Sequence, residues 1–356
     1  MLQIQLQPRW QLADGQTPAL DGTRLLGLLG AIQTSGSIAQ AARETDLSYR
    51  HAWGLIAQAE ALLGQALVIR GRGQGSRLTE CGERLVWSDA RISARLQPLL
   101  ASLASELAGE LGRLTAEHLP PARLHASHGF AVAALHDRLQ QRGLGVDIRY
   151  RNSQEAVAAL ANGECELAGF HVPLGLFERA AGERYRQWLQ PGEHTLVQLA
   201  VRTQGLFVAA GNPLKVRGLG DLQLGDLRFV NRPAGSGTRM LTDLMLTHLG
   251  LRPEQVNGYH TTELTHAAVA AFVASGMADV GLGVETAAHR FGLHFVPLLK
   301  ERYFFAVHRR HLESPRLRPI LEVLQSPAFR SRVAALKGYD ASATGRMLDV
   351  DEALGP

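Results

Sequence analysis

From residue 123 onward the chain alternates short apolar runs with helical patterns. The runs "RLHAS" and "VDIRYR" have strand patterns, and each is followed by a stretch with apolar residues at helical spacing. Strands separated by helices predict parallel α/β sheets, because a parallel pair needs a crossover connection. Roughly 230 residues are available for this pattern, which suits two α/β lobes better than one.

The first 78 residues follow a different pattern. Two short helices joined by "TDLS" are predicted, with Ser37 and Ser48 as their N-caps. Two helices connected this closely indicate a helix-turn-helix. The run "ALVIRGRGQGSRLTE" then predicts a strand, a Gly-rich turn and a second strand, which together form a β-hairpin wing.

One long helix is predicted from Thr79, as its cap, to about His118. Its apolar residues form a near-heptad seam, which is typical of an oligomerisation element. The seam consists of Leu85, Ile92, Leu96, Leu99, Leu103 and Leu107. Pro98 is expected to kink or break the helix, and Pro120-Pro121 mark a linker. The predicted domains are therefore 1–78 (helix-turn-helix and wing), 79–118 (dimerisation and linker helix) and 119–356 (α/β).

Composition excludes several classes of protein. The formal net charge of +4 is too small to indicate nucleic-acid binding by itself. Cys81 and Cys165 are far apart and form no CxxC pair, which favours a reducing compartment and predicts no metal site. The N-terminus lacks a secretory pattern, and no run approaches the roughly 18 apolar residues of a membrane span. We therefore expect a cytoplasmic protein with no membrane partner.

The N-terminal patterns carry a family resemblance over roughly residues 20 to 90. The small-residue helix "GSIAQAA", the start "LSYRHAW" of the second helix, the Gly-rich wing and "LTECGERLV" occur in this order. Together they resemble the winged helix-turn-helix of ModE-type molybdate-responsive regulators and, more loosely, that of LysR-type regulators. The resemblance implies a transcription regulator that binds a double-stranded DNA operator as a homodimer or higher homo-oligomer.

The residue types also predict where DNA is contacted. The N-terminal end of a recognition helix meets base edges in the major groove, and Arg50 there suits a guanine edge or a phosphate. Arginines in the wing suit backbone phosphates, as does the helix N-terminus at Ser37. The predicted DNA-binding residues are Ser37, Ser48, Tyr49, Arg50, His51, Arg70, Arg72 and Arg77.

The C-terminal patterns carry a second resemblance, from about Arg123 to Arg310. The runs "ASHGFAVAAL", "LANGECELAGFHVP", "QGLFVAAGNP" and "RFVNRPAGSGTRMLTDLML" resemble the periplasmic-binding-protein-like domain of some cytoplasmic regulators. That domain belongs to the same broad superfamily as molybdate- and tungstate-binding proteins. The expected fold is therefore a multidomain α/β protein with a winged helix-turn-helix, a long linker helix and a type II two-lobed domain, whose ligand lies between the lobes.

Polar residues follow the predicted strands at five separate crossings. Ligands of α/β sheets bind beyond the carboxyl ends of strands, where helix N-termini favour oxyanions. The predicted ligand-binding residues are Ser127, His128, Asn152, Ser153, His171, Ser236, Gly237, Thr238, Arg239 and Thr265. Tyr303 and Glu285 are further candidates for lining the cleft.

The run "NRPAGSGTR" is the most specific of these crossings. Gly235 and Gly237 allow the backbone to approach a ligand closely. Arg239 supplies a charged fork for an anion, whereas Arg232 is expected to pair with Asp243 or with a neighbouring lobe. The run lacks the lysine of a P-loop, and the chain has no GxSxG or HExxH motif. We therefore predict no enzyme and no catalytic residues.

The two resemblances imply molybdate or tungstate as the effector, and no other cofactor. Two departures leave this identity open. The pair of C-terminal molybdate-sensing modules of ModE-type regulators is not found in the sequence, and molybdate receptors typically use neutral hydroxyls and amides rather than an arginine. A molybdenum-cofactor precursor or another organic anion is the alternative. A transport receptor, the remaining rival, requires an export signal and leaves the helix-turn-helix unexplained.

Overall fold

The computed structural model describes residues 4–15, 18–71, 75–114 and 120–355. They divide into two compact units, Gln7–Ser93 and Ala94–Pro356 with Met1–Leu6. The domain limits at residues 78 and 118 stay a prediction. No helix in the described ranges is both long and apolar enough to cross a bilayer.

The described residues of the unit Gln7–Ser93 form three complete helices, the start of a fourth and two short hairpins around one apolar core. Its elements are β1 (Gln11–Leu12), β2 (Leu20–Asp21), α1 (Gly22–Ser35), α2 (Ile38–Glu44), α3 (Tyr49–Leu63), β3 (Val68–Gly71), β4 (Gly75–Leu78) and the first part of α4 (Glu80–Leu114). The predicted caps are confirmed, since Ser37 Oγ accepts from Gln40 N and Ser48 Oγ from His51 N. Thr79 Oγ1 likewise accepts from Gly82 N at the start of α4.

Helix α4 continues through Pro98, so the alternative that this proline breaks the helix was wrong. A proline removes one main-chain donor, whereas the remaining hydrogen bonds and the packing of the helix hold its two sides together. The predicted end near His118 lies outside the described residues. Within the second unit α4 exposes leucines at every fourth position, namely Leu99, Leu103, Leu107 and Leu111.

The unit Ala94–Pro356 is built on one bent sheet of nine strands. Its strands are β5 (Ala122–Ala126), β6 (Val146–Tyr150), β7 (Leu167–Pro173), β8 (His194–Val208), β9 (Phe229–Val230), β10 (Val280–Val284), β11 (His294–His308), β12 (Tyr339–Asp340) and β13 (Met347–Asp349). The order is β6-β5-β7-β11-β8-β10-β9, and β12 and β13 pair with β8.

The expectation of purely parallel sheets was wrong in one respect. Strand β5 is parallel to β6 and β7, and β9 is parallel to β10, as expected. The strands β8 and β11, of 15 residues each, run antiparallel to each other and to their neighbours. These two strands join the lobes into one sheet, because β11 pairs with β7, β8 pairs with β10, and β8 and β11 pair with each other.

Helices cover both ends of this sheet. The first lobe, around β5, β6 and β7, carries α5 (Phe130–Gln141), α6 (Ser153–Ala161), α7 (Glu178–Arg186), α11 (Arg318–Gln325), α12 (Pro327–Ala334) and α13 (Val350–Leu354). The second lobe, around β9 and β10, carries α8 (Gly237–His248), α9 (His266–Ala274) and α10 (Glu285–Arg290). Each lobe has its own apolar core, two clusters in each case.

The lobes meet where the pairing of β8 and β11 changes. Strand β7 pairs with residues 301–306 of β11, whereas β10 pairs with residues 204–208 of β8. The β8–β11 register shifts between Pro297 and Leu299 and again between Tyr303 and Phe304. Residues near 202–204 and 299–303 therefore form the junction of the lobes.

Candidate anion-binding site between the lobes

A buried ion pair lies at the junction of the lobes. Arg202 Nε donates to Glu301 Oε1 at 2.6 Å, and the side chains are each 1% exposed. Gln204 Nε2 donates to the same carboxylate oxygen at 2.8 Å and lies 3.3 Å from Thr238 Oγ1 at the start of α8. Burial opposes the charge of Arg202, yet the combined effect of Glu301 and Tyr339 outweighs it and raises the pKa of this arginine. The network thus connects the crossing strands to the loop before α8.

His171 connects two serines of the first lobe. Its Nδ1 lies 3.0 Å from Ser153 Oγ, and its Nε2 lies 3.5 Å from Ser127 Oγ. The ring packs edge-on against Tyr303 with centroids 4.4 Å apart. Burial, followed by the charges of Arg202 and Arg232, holds the pKa of His171 well below its usual value. The imidazole is therefore neutral at pH 7.

The start of α8 lies directly against the first lobe. An added methyl group at Gly237 would be 3.0 Å from His171 Nδ1 and 3.3 Å from Ser153 Oγ. An added methyl group at Gly235, where φ is +82°, would be 2.7 Å from Asn152 Nδ2. A side chain at Gly235 would be strained by the positive φ, and one at Gly237 would crowd His171, so both glycines allow α8 to begin close to the first lobe. The predicted close approach of this backbone to a ligand stays a prediction. The first turns of α6 and α8, whose N–H groups have no intrahelical acceptor, thus face one small region.

Arg232 is the charge that this region leaves without an anionic partner. The residue is 5% exposed, and its Nη2 donates to the Leu264 carbonyl at 2.7 Å. No carboxylate of the described residues lies within 4.0 Å of the guanidinium, and Nε has no hydrogen-bond acceptor. Burial, then the charge of Arg202, lowers the pKa of Arg232 to about 10. It is nevertheless protonated at pH 7.

Two further histidines share this electrostatic environment. Burial, then the charges of Arg232 and Arg290, lowers the pKa of His128 to about 4. His266 is also held well below its usual pKa, first by burial and then by Arg232 and Arg202. Several buried polar atoms here lack a hydrogen-bond partner among the described residues, namely Arg202 Nη2, Gln204 Oε1, Arg232 Nε, His266 Nδ1 and Tyr303 Oη. Such a cluster indicates a place for a polar ligand, because unsatisfied buried groups are otherwise rare.

The two arginines of "NRPAGSGTR" differ from the expected arrangement. Asp243 pairs with Arg239, at 2.9 Å, so its expected pairing with Arg232 was wrong. Arg239 and Asp243 lie one turn apart on α8, which brings their side chains together. The Arg239 guanidinium also lies 4.2 Å from the ring centroid of Tyr259 and donates to the Arg232 carbonyl. Its donors are thus largely used within the second lobe.

Several predicted site residues serve as helix caps. Asn152 accepts from Glu155 N, Ser236 from Arg239 N and Thr265 from Ala268 N. Thr265 Oγ1 also donates to the Ala94 carbonyl of α4. Cap oxygens are occupied, whereas the amides in the turns that they begin remain available.

The prediction missed three residues, Arg202, Gln204 and Glu301. A signal was present, since the apolar runs "LVQLAVRTQGLFV" and "VPLLKERYFFAV" each carry charged residues in their interior. A charged residue inside a buried strand needs a partner. The partner of Arg202 lies 99 positions away, so the sequence did not identify it.

The predicted DNA-contacting residues lie in the other unit. Ser48, Tyr49, Arg50 and His51 are exposed at the N-terminal end of α3. In the wing, Arg77 is exposed on β4, and the backbone of Arg70 pairs with Ser76. Arg72 lies outside the described residues. Ser37 is half-buried as the cap of α2.

Two protein families match this architecture. Residues 23–83 match the family described as "Bacterial regulatory helix-turn-helix protein, lysR family". Residues 135–325, more than half of the chain, match the family described as "PBP superfamily domain". The chain belongs to the PBP superfamily. A lysR-type helix-turn-helix thus precedes the two-lobed domain of this PBP-superfamily chain.

Curated relatives match parts of this PBP-superfamily chain. It is 32% identical over 204 residues to the uncharacterized protein YvgK of Bacillus subtilis (strain 168), which is 56% of this chain and 64% of YvgK. It is 36% identical over 96 residues to the molybdenum-pterin-binding protein MopB of Rhodobacter capsulatus, 26% of this chain and 36% of MopB. It is 39% identical over 93 residues to the molybdenum transport protein ModE of Azotobacter vinelandii, 25% of this chain and 34% of ModE. The chain thus spans less than two thirds of each of these proteins.

Proposed function

We propose that this chain is a cytoplasmic transcription regulator that binds DNA through its winged helix-turn-helix and a small oxyanion between the lobes of its PBP-type domain. Molybdate or tungstate is the proposed effector. The observation that carries the proposal is Arg232, a buried arginine with no carboxylate partner among the described residues. A buried charge is costly unless it is paired, and an anion between the lobes supplies the missing partner.

The surroundings of Arg232 suit a compact anion with several oxygen atoms. Ser127 and Ser153 offer hydroxyl donors on either side of His171. The first amides of α8, at Gly237 and Thr238, add main-chain donors together with the positive end of the helix dipole. We therefore assign the anion to these groups and to Arg232. Arg239 and Thr265 are left out of this set, because their polar atoms are used elsewhere.

Tetrahedral oxyanions are favoured because the proposed donors are numerous and small. The names of ModE and MopB refer to molybdenum, which supports molybdate over other oxyanions. The name of MopB refers to a molybdenum pterin, and the aromatic pairs His171–Tyr303 and His128–Tyr150 near the site suit a planar ring. A molybdenum-cofactor precursor or another organic anion is therefore the second candidate effector.

Calorimetry on the full chain tests the effector directly. Molybdate, tungstate, sulfate and phosphate are titrated in turn at pH 7.5, and the purified protein is assayed for bound molybdenum and tungsten. We expect micromolar or tighter binding of molybdate or tungstate and weaker binding of sulfate. If none of the four anions binds, the oxyanion assignment is wrong, and an organic anion recovered by native mass spectrometry would support the second candidate.

We propose operator DNA as the second partner of this chain. The proposed oligomeric state is a homodimer or a higher homo-oligomer. The exposed leucines of α4 supply an apolar stripe for a second copy of the helix. Two recognition helices in one oligomer would then read two half-sites. We propose no catalytic activity for this arrangement.

Arg50→Ala is expected to lower affinity for a DNA site selected from random sequence by about tenfold to a hundredfold. A base-edge contact contributes about 1–3 kcal/mol, and Arg50 is exposed at the start of α3. Gel-shift titrations at several salt concentrations provide the measurement. Arg24→Ala, which removes an exposed arginine of α1 in the same unit, is the control and should change affinity less than about twofold. Equal losses in the two variants would argue against base readout by Arg50.

Anion affinity is expected to change less than about twofold between pH 6 and pH 8.5. Within this range His128, with a pKa of about 4, stays neutral, as do His171 and His266, while Arg232, with a pKa of about 10, stays charged. Above pH 10 affinity should fall, because Arg232 then loses its proton. Sulfate, which is fully ionised over this range, is a suitable probe in calorimetry. A tenfold increase between pH 8 and pH 6 would instead indicate that a histidine binds a proton with the anion.

A further inference from the structure

Helix α4 is attached to the second lobe by a bidentate ion pair. Arg95 Nε donates to both carboxylate oxygens of Glu263, at 2.9 and 2.7 Å, and Nη2 donates to Oε1. The Glu263 side chain is 1% exposed and that of Arg95 is 44% exposed. Next to this ion pair, Thr265 Oγ1 donates to the main-chain carbonyl of Ala94 on the same helix. The helix therefore covers a buried carboxylate that has no other cationic partner within 4.0 Å among the described residues.

The same segment holds Arg232 in place. Glu263 N donates to the Asn231 carbonyl, and Asn231 N donates to the Thr261 carbonyl. Arg232 Nη2 donates to the carbonyl of Leu264, the residue directly after Glu263. Arg232 and Glu263 are thus opposite charges on two backbone segments that are hydrogen-bonded to each other. Burial and the charge of Arg202 lower the pKa of Arg232, whereas Glu301 and, to a smaller extent, Glu263 favour its protonated form.

Arg95 and Arg232 are thus two cations that can each compensate the negative charge of Glu263. A carboxylate close to Arg232 repels an incoming anion and partly neutralises the arginine that would bind it. Arg95 counters this effect, because it binds the carboxylate through both oxygens. Without Arg95, Glu263 would be a buried carboxylate without a direct cation, and Arg232 would be the nearby charge available to it.

We propose that Arg95 is a positioning residue of the anion site: by binding Glu263 it leaves the charge of Arg232 to the anion, so that docking of α4 and binding of the anion favour each other. This inference rests on the proposed function, since it concerns regulation of the same site. Coupling of this kind is reciprocal, so the anion must strengthen the docking of α4 as much as the docked helix strengthens anion binding.

The docked part of α4 also holds the first lobe. Ser102 Oγ accepts from Tyr150 N at 3.0 Å, and Ser105 Oγ accepts from Ile148 N at 2.8 Å. Both amides belong to the edge strand β6, which leads directly to Asn152 and Ser153 at the anion site. The helix is therefore bonded to both lobes within about three turns, and a change in the angle between the lobes must change its contacts.

Calorimetry with molybdate on the full chain tests the inference through a double-mutant cycle. Arg95→Gln is expected to weaken molybdate binding about fivefold to tenfold. Glu263→Gln should leave affinity unchanged or raise it, and Arg95→Gln combined with Glu263→Gln should return it to within about threefold of wild type. Arg84→Gln removes the same charge from an exposed ion pair on the same helix, and it should have less than a twofold effect.

The outcomes separate the inference from the proposed function. Wild-type binding with an unchanged Arg95→Gln variant would overturn the inference and leave the oxyanion function standing. A double variant as weak as Arg95→Gln would show that Arg95 acts by packing and not through Glu263. If wild type binds none of molybdate, tungstate, sulfate and phosphate, both proposals fall. Rescue by Glu263→Gln is the readout that a purely structural role of Arg95 would not produce. In addition, saturating molybdate should slow amide exchange of residues 94–105 more in wild type than in Arg95→Gln.

Discussion

Replacing Arg232 by glutamine is expected to weaken molybdate binding by about a hundredfold while stabilising the protein without ligand. The loss follows from removing a charge-assisted contact, which contributes about 1.5–3 kcal/mol. The gain follows because the free protein no longer buries a charge without a counter-ion. Calorimetry measures the first effect, and thermal unfolding without anion measures the second, with an expected rise of a few degrees.

Arg239→Gln is the matched control for this experiment. It removes the same charge from the same loop and helix, yet Arg239 is bonded to Asp243 and packed on Tyr259. We expect affinity within about threefold of wild type and a small loss of stability. If Arg239→Gln loses binding and Arg232→Gln retains it, the assignment of the two arginines must be reversed. Weaker molybdate binding together with higher stability of the ligand-free Arg232→Gln protein is typical of a residue that serves binding at the expense of stability.

Glu301→Gln is expected to lower the free energy of unfolding by about 3–5 kcal/mol, because it leaves the charge of Arg202 buried without its carboxylate. The loss should be concentrated in β8 and β11, where the pair joins the two lobes. Hydrogen exchange of the amides in these strands, followed by mass spectrometry, measures it locally. Arg202→Met combined with Glu301→Leu should recover most of the stability, since an apolar pair of similar volume removes both charges.

Asp279→Asn is the control for Glu301→Gln, because it removes one carboxylate from an ion pair at the protein surface. Asp279 pairs with Arg228 at 2.7 Å in the same unit, but this arginine is half exposed. An exposed pair contributes about 0–1 kcal/mol, so the variant should be close to wild type in the same exchange experiment. Equal effects of Glu301→Gln and Asp279→Asn would mean that the junction pair does not stabilise the sheet.

Cleft closure is the mechanism that we propose for the response to the effector. The anion would contact Ser127 and Ser153 of the first lobe and Arg232 and the α8 amides of the second, so it binds the closed arrangement better. Helix α4, hydrogen-bonded to both lobes, begins in the DNA-binding unit. Small-angle scattering and operator affinity, each measured with and without molybdate, test the mechanism, and no change in either would contradict it.

Local chemistry explains which features were predictable. The caps Ser37, Ser48 and Thr79 were identified because a cap and the amide it binds are three residues apart. The ion pair of Arg239 with Asp243 obeys the same kind of rule, at a spacing of four on a helix. Arg232 precedes α8 and therefore does not share this spacing with Asp243.

The sequence by itself determined the order of the elements, the helix-turn-helix and the two-lobed class of fold. Hydrophobic periodicity and turn chemistry carry this information within a few residues of each position. Only the tertiary structure decided that Arg202 is neutralised by Glu301, that Glu263 is neutralised by Arg95, and that Arg232 has no carboxylate partner among the described residues. The physical reason is that charge compensation depends on distance in space, and these partners lie 99 and 168 residues apart along the chain.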